Sequence, residues 1–451
     1  MRNKPNNRVI VVGGGLAGSE AAWQIAQRGI PVDLYEMRPR VKTPAHITDR
    51  LAELVCSNSL GGDQGTSPAA TLKAEMRLFS SLILQAAEKA RVDAGSALAV
   101  DRDIFSEAVT EAILGHPGIT VHRDVVETIP EGPTVIATGP LTHEALSLAL
   151  QDFFATDALS FFDAAAPIVF GDSIDMNYAF YGSREGTDDY INCPLTKAEY
   201  EAFYESLMAA EQHERHDFEE ARFFEGCLPI EEIARRGPKT LLYGPMKPIG
   251  LKNPLEGGRR PYAVVQLRRD NAAGSLWSLV GFQTNLRWGE QKRILSMIPA
   301  LRQAEFARYG VMHRNTYLKS PKILEPSLNT RTRADLWLAG QMIGVEGYVE
   351  SAASGILAGI NAARYVSGLD PVVLPRETMM GALFYYVTHA DPDSFQPMNA
   401  TFGLFEVPEE IRAIKDKKER RARLQARSLA VMTPIAESLS VEPEAHHVQS
   451  Q

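Results

Sequence analysis

The sequence predicts an α/β protein: a Rossmann-like nucleotide-binding sheet carrying a mixed α/β insertion. Three stretches predict it. In the first, an apolar β-branched run, Val9-Ile10-Val11-Val12, ends in Gly13-Gly14-Gly15-Leu16-Ala17-Gly18 and passes into helical spacing through Ala26. In the second, the run Thr134-Val135-Ile136-Ala137 closes on Thr138-Gly139. In the third, Leu336-Trp337-Leu338-Ala339 again runs into a glycine, Gly340.

The first stretch continues into a second strand, Val32-Asp33-Leu34-Tyr35, which ends in Glu36. Strand, G-x-G-x-x-G turn, helix, strand and acid form a dinucleotide-binding pattern. The glycines permit a tight turn and let the backbone approach a pyrophosphate. The helix N-terminus offers that anion unpaired N–H groups and about half a positive charge. Glu36 is placed to accept hydrogen bonds from a ribose. Alone, this turn suits FAD, NAD and S-adenosylmethionine alike. The second stretch is where chains of this kind close over the nucleotide. After the third, residues 351–365 form a helix rich in small residues, Ala353, Gly355, Ala358, Gly359 and Ala362, able to pack closely on a neighbour or a ligand. In two-part flavin folds such a strand and helix return to the first domain, with the helix N-terminus toward the flavin. The three signatures in this order indicate an FAD-binding Rossmann-like domain of the glutathione-reductase type. S-adenosylmethionine explains only the first. No second G-x-G-x-x-G is present, so NAD(P)H is expected as a transient visitor. No C-x-x-C pair lies beside the motifs, which argues against a disulfide reductase.

The chain has 451 residues, enough for two or three domains with ample core. At 45% hydrophobic and 23% charged residues it has a globular balance. The net charge of −9 announces no global basic field, so a polyanion would have to meet a local patch. The three cysteines, Cys56, Cys193 and Cys227, are odd in number and widely spaced. That disfavours a disulfide framework and a zinc site, so no metal is expected. With no leader-like start and no run of roughly 18 apolar residues, a cytoplasmic protein without membrane contact is expected. Residues 41–70 read as loop, 71–91 and 101–114 as helices, and 120–122 as a strand. From Pro167 the texture changes: extended runs at 168–170 and 178–181, a helix over 197–216, a basic Gly/Pro-rich stretch over 235–260, strands at 262–267 and 276–282, and helical signals over 290–309. The expected division is a nucleotide domain over 1–165, an insertion over 166–325, a return segment with a helical C-terminus over 326–440, and a disordered tail over 441–451.

Several segments carry a more specific signal. They include Leu54-Val55-Cys56-Ser57-Asn58-Ser59, Glu225-Gly226-Cys227-Leu228-Pro229-Ile230-Glu231, Gly244-Pro245-Met246-Lys247-Pro248, residues 281–293 around Asn285-Leu286-Arg287-Trp288-Gly289, residues 308–315, and residues 340–361. Together with the glycine turn they resemble the folate- and FAD-dependent tRNA (uracil-5-)-methyltransferases, from Val9 to about Phe405. The resemblance implies formation of 5-methyluridine (ribothymidine, m5U54) in the T loop of tRNA. The carbon would come from 5,10-methylenetetrahydrofolate and the electrons from NAD(P)H through FAD, with the reduced flavin as both carrier and reductant. The insertion would then face folate and tRNA.

Uracil C5 is a poor nucleophile until a thiolate adds to C6. The reaction therefore needs one nucleophilic thiol, one acid/base and one hydride source. Cys227 is assigned as the nucleophile, with Cys56 as its acid/base or thiolate-protecting partner; the reverse assignment stays open. Cys193 reads as a small buried hydrophobe. The cofactor set is Gly13, Gly14, Gly15, Leu16, Ala17, Gly18, Glu36, Thr138, Gly139, Gly340, Gln341, Gly347 and Tyr348. The substrate set is Trp288, Glu346, Asn285 and Arg287, with Trp288 offering a flat face to a flavin or pterin ring. Basic residues at 235–260, and Lys417, Lys418, Arg420, Arg421 and Arg423, could hold tRNA phosphates. A monomer or weak dimer is expected. The competing readings are a wobble-uridine-modifying flavoprotein, an rRNA methyltransferase forming the same base, and a flavoprotein that binds tRNA without modifying it.

Overall fold

The computed structural model describes residues 7–43, 45–155, 159–164, 166–212, 228–310 and 312–440. Its centre is a five-stranded parallel sheet. Strand Val9–Val12 lies between Val32–Tyr35 and Thr134–Ile136, with Ile119–His122 outside the former and Leu336–Leu338 outside the latter. The late strand joins in register, Trp337 opposite Val135. Val9, Val11, Leu34, Val135, Ile136, Leu336 and Leu338 are fully buried, as strands covered on both faces require.

The late strand leads into a long helix, Tyr348–Val366, which lies against the first helix, Leu16–Ala26. Small residues set their separation. A Cβ on Gly355 would collide with the Ala17 carbonyl oxygen, and one on Gly359 would sit 2.7 Å from the Ala21 carbonyl oxygen. The small-residue stripe thus serves a neighbouring helix.

The insertion forms its own six-stranded antiparallel sheet. Its order is Phe180–Tyr181, Tyr190–Leu195, Ala263–Arg269, Leu276–Leu279, Ile168–Phe170 and Phe306–Arg308. A separate core of Val169, Ile191, Cys193, Phe203, Val265 and Leu279 fills one side of it. Cys193 is completely buried there, and burial pushes its thiol far above the ordinary range. The outgoing and returning connections, Leu159–Ala164 and Met312–Tyr317, pair with each other antiparallel.

Several expected elements differ. Residues 71–91 are two helices, Pro68–Leu78 and Leu82–Lys89. Ser80 adopts φ 53° between them, and Ser81 caps the second through Leu84 N–H. The break is held by the first helix: buried Glu20 accepts from the Ser81 hydroxyl and from Leu82 and Ile83 N–H, while Gln24 donates to Phe79 O. The loop over 41–70 contains a strand, Ser59–Gly62, paired with Ala97–Val100. The run at 178–181 is a 3₁₀ turn, Met176–Tyr178, before the short strand. The strand from Leu276 stops at Leu279, ahead of Gly281 at φ 76°. The helix from Lys197 ends at Met208, and the expected continuation past residue 212 lies outside the described residues. Residues 290–309 give a helix only over Trp288–Leu295. Pro299, which has no N–H to donate, opens a 3₁₀ turn, and Phe306–Arg308 is a strand. The proposed tail over 441–451 also lies outside the described residues.

The C-terminal helix, Lys417–Leu439, docks on Pro68–Leu78 around a buried carboxylate. Glu75 accepts from Met379 N–H at 2.6 Å, Met380 N–H at 2.8 Å and the Ser428 hydroxyl. Burial pushes its carboxyl up to about 7, against the pull of these donors. The folded chain therefore holds a proton that the unfolded chain releases near pH 4.5. This group's contribution to stability is complete below that pH and is lost as pH rises through about 7. Glu75→Gln cannot titrate and should flatten the decline in denaturant stability between about pH 5 and 7.5, by on the order of 3 kcal/mol. An unchanged difference between wild type and variant across that window would refute the assignment.

Candidate dinucleotide and thiol site

A cavity opens at the carboxyl ends of the parallel strands. This is where open α/β sheets bind ligands. The glycines around it divide by role. Gly13, at φ 104°, has no room for a Cβ, which would sit 2.6 Å from the Ala137 carbonyl oxygen. A Cβ on Gly14 would meet Leu51 at 2.5 Å and the Glu36 carboxylate at 2.8 Å, and one on Gly18 would strike the Gly13 carbonyl oxygen. Gly15 is different: nothing lies within 4 Å of its Cβ position, and it faces the cavity. It is the N-cap of the first helix and provides no capping side chain, so the first turn is left to an anionic ligand.

Glu36 is 5% exposed and borders the cavity. Its Oε2 accepts from Gly14 N–H at 3.0 Å. Its Oε1 accepts from Arg38 N–H at 3.0 Å and Arg38 Nε at 2.9 Å. Burial pushes this carboxyl up, but the Arg38 guanidinium and the two backbone N–H groups outweigh it and hold the group below its ordinary value. The acid at the end of the second strand thus secures the glycine turn and keeps lone pairs for a ribose.

Gly13 to Ala17, Glu36, Thr138, Gly139, Gly340, Gln341 and Tyr348 all line the cavity. Gly18 lies behind it, and Gly347, at φ 116°, is the N-cap of the return helix beside it. Glu346 accepts from Gln341 Nε2 at 2.7 Å. Asn285, Arg287 and Trp288 belong to the insertion and are not part of the cavity wall. Trp288 is 57% exposed and stacks on Tyr309, which stacks on Phe306. Arg287 pairs with Glu211 at 3.0 Å, and buried Asn285 donates its N–H to Glu231.

The sequence reading missed Arg38, which bridges Glu36 and Glu53, and His143, whose Nδ1 is buried without a hydrogen-bond partner in the cavity wall. The hallmark Thr138-Gly139 pointed to the neighbourhood of His143 without naming it. An orphaned ring nitrogen and an open glycine are features a bound dinucleotide would complete. Among the described residues, no cluster of His, Cys, Asp and Glu could hold a metal ion. Among them, too, no helix is long and apolar enough to cross a membrane.

Cys56 sits at the cavity edge, after Val55, which lines it. Ala52 anchors this loop by donating its N–H to Gly14 O at 2.9 Å. The Tyr348 hydroxyl lies 2.8 Å from Cys56 N, 3.2 Å from Ser57 N and 3.1 Å from Cys56 Sγ. A hydroxyl has two lone pairs and one proton. The two N–H groups use the lone pairs, so the proton points to the sulfur and Cys56 Sγ is the acceptor. Burial, and then the neighbouring Cys56 sulfur, push the Tyr348 phenol well above its ordinary range, which keeps that proton in place. Cys227 lies outside the described residues.

Fold and cradle together define a class, the two-segment dinucleotide-binding proteins of the GidA type. The family model described as "Glucose inhibited division protein A" matches residues 8–370. The form II crystal structure of Aquifex aeolicus GidA superposes with a TM-score of 0.70 at 16% identity, covering 97% of this chain and 74% of that one. Nearer relatives are the methylenetetrahydrofolate–tRNA-(uracil-5-)-methyltransferases TrmFO. That of Enterococcus faecalis is 56% identical over 435 residues, 96% of this chain and 99% of the relative. That of Exiguobacterium sibiricum is 59% identical over 399 residues, 88% and 92% of the two chains. The chain belongs to the TrmFO family.

The glycine geometry gives a discriminating pair of variants. Gly15 has φ −75°, which alanine adopts freely. Gly15→Ala should leave stability within about 0.5 kcal/mol while weakening dinucleotide retention about 10-fold, read as absorbance retained per protein on gel filtration. Gly18→Ala should instead lower the thermal midpoint. Equal behaviour of the two would overturn the division of roles.

Proposed function

We propose that this protein holds FAD in the glycine cradle and methylates C5 of uridine 54 in the T loop of tRNA. The carbon donor is 5,10-methylenetetrahydrofolate and NAD(P)H is the source of electrons. The observation that carries the reading is the Cys56 sulfur, held as an acceptor by Tyr348 at the edge of a dinucleotide cavity. When bound, the reduced flavin supplies the hydride that completes the methyl group.

The chain's own groups perform the rest. The Cys227 thiolate adds to uracil C6, and the π pair of the C5–C6 bond moves to C5 and the O4 enolate. C5 attacks the folate-derived one-carbon unit. Cys56 takes the C5 proton as the carrier departs from that carbon. A hydride closes the resulting methylene to methyl, the Cys227 thiolate leaves C6, and the double bond is restored. Gln341 and Glu346 are assigned to flavin or folate contact. Trp288, with Asn285 and Arg287 before it on the insertion (taken as residues 166–325), is assigned to a substrate ring. These roles agree with the two-body layout, in which the return helix borders the cavity and the insertion stands beside it.

A labelled-folate assay with purified protein and unmodified tRNA transcript tests the reading. Label should appear at one T-loop uridine in an NAD(P)H-dependent way, and both Cys56→Ala and Cys227→Ala should reduce incorporation at least about 100-fold. Label at a wobble uridine, or none, overturns it.

The C-terminal helix suits the RNA. Lys417, Lys418 and Arg423 are exposed on its first turns, and neither they nor Arg420 and Arg421 form an ion pair among the described residues. The chain's overall charge is −9, so this end is a local exception. Reversing Lys417, Lys418 and Arg423 to Glu should weaken tRNA binding and reduce the slope of log affinity against log salt by about 2. An unchanged slope excludes phosphate contact here.

A further inference from the structure

The Cys56 loop is gripped by both bodies of the molecule, and two of the gripping groups are guanidiniums. Arg268, on the insertion strand Ala263–Arg269, donates from Nε to Asn58 Oδ1 at 3.0 Å and from Nη2 to Ser57 Oγ at 2.9 Å. Asn58 is fully buried, and its amide reaches the carbonyls of Val100 and Arg269, both at 2.9 Å. Arg102, at the start of the helix Arg102–Gly115, donates to Leu54 O at 2.7 Å and pairs with Asp270 at 3.1 Å. Arg308, on the edge strand of the insertion sheet, faces Arg102, Asp270, Tyr348 and Cys56.

Among the described residues the charges do not balance. Three partly buried guanidiniums meet one carboxylate, Asp270, which is engaged by Arg102. Tyr348 and Tyr190 also act on them, phenols that burial pushes up and so keeps neutral. Among the described residues neither Arg268 nor Arg308 has a carboxylate at ion-pair distance. Burial pulls both guanidiniums down, and Asp270 and Cys56 lie close enough to pull them back up. Surplus charge held away from water is costly unless an anion answers it. The sulfur that already accepts the Tyr348 proton is the anion at hand.

We infer that Arg268 is a positioning residue for Cys56: with Arg102 and Arg308 it forms a cationic bed that keeps the sulfur a thiolate and fixes residues 54–58 at the cavity mouth. This rests on the proposed reaction and deepens it, because a resting thiolate makes Cys56 the base that takes the C5 proton rather than an acid. Arg268 acts on the chemistry only through the loop and its charge.

The test is peptide-resolved alkylation of Cys56 by iodoacetamide in the full-length holoprotein across pH 5 to 9. It needs neither tRNA nor folate, so it fails or succeeds independently of methylation. Arg268→Gln should slow Cys56 alkylation about 10-fold at pH 7 and move the pH profile to the alkaline side. Arg268→Lys keeps the charge and should leave the profile within about 3-fold of wild type, while tRNA methylation falls because the fork to Ser57 and Asn58 is lost. If Arg268→Gln does not fold, Arg308→Gln, which removes a charge but none of the loop's hydrogen bonds, should move the profile in the same direction. An unmoved profile in the glutamine variant that folds, or a lysine variant shifted as far as Arg268→Gln, overturns the inference.

Discussion

The contact between the first helix and the return helix is the constraint on which the rest depends. Two helices separated by more than three hundred residues approach until Gly355 and Gly359 rest on the carbonyl oxygens of Ala17 and Ala21. No side chain fits between them. This depth of approach brings Gly340 and Tyr348 to the glycine turn and makes one cavity from two distant segments. A Cβ on Gly340 would already be 3.2 Å from Ala17. The site therefore exists only when the chain has returned, and the strand Leu336–Leu338 in the parallel sheet is what returns it.

Buried acids hold this arrangement by answering backbone donors. Glu20 receives the start of the helix Leu82–Lys89, Glu36 receives Gly14 N–H, and Glu75 receives the start of the helix Met379–His389. The three share a geometry and differ in charge balance. Glu36 has Arg38 beside it and stays anionic. Among the described residues Glu20 and Glu75 have no such cation in contact, and burial raises both. An unpaired N–H at a helix start is costly inside a protein, and a carboxylate is the strongest acceptor available for it.

The described cysteines show how environment divides one residue type. Cys193 lies in the apolar core of the insertion, where nothing favours a charged sulfur. Cys56 lies on a loop whose hydrogen bonds come from the return helix, the helix at Arg102 and the insertion sheet at once. Its setting depends on three segments meeting, so the two bodies are coupled at the point where chemistry is assigned.

Much was legible beforehand because it is written locally. The glycine spacing of residues 13–18, the apolar strand ahead of it and the acid at 36 encode one turn–helix unit: Gly18 clears the Gly13 carbonyl and Gly14 clears Glu36, while Gly15 stays open and Gly13 answers the distant Ala137. The small-residue stripe of residues 353–362 marked a close approach to a neighbour or a ligand, and the fold decided for the first helix. Other features could not be read that way. The break at Ser80 needs Glu20 and Gln24 from another helix, the strand Phe306–Arg308 needs the edge formed by Ile168–Phe170, and Tyr348 became a hydroxyl for Cys56 only through the returning chain. By itself the sequence determined the nucleotide cradle, the family and the candidate sulfurs, because backbone clearance and motif chemistry are local properties. Tertiary structure alone decided which groups surround Cys56, because hydrogen bonds and buried charge are settled by proximity in space, which spacing along a chain does not encode.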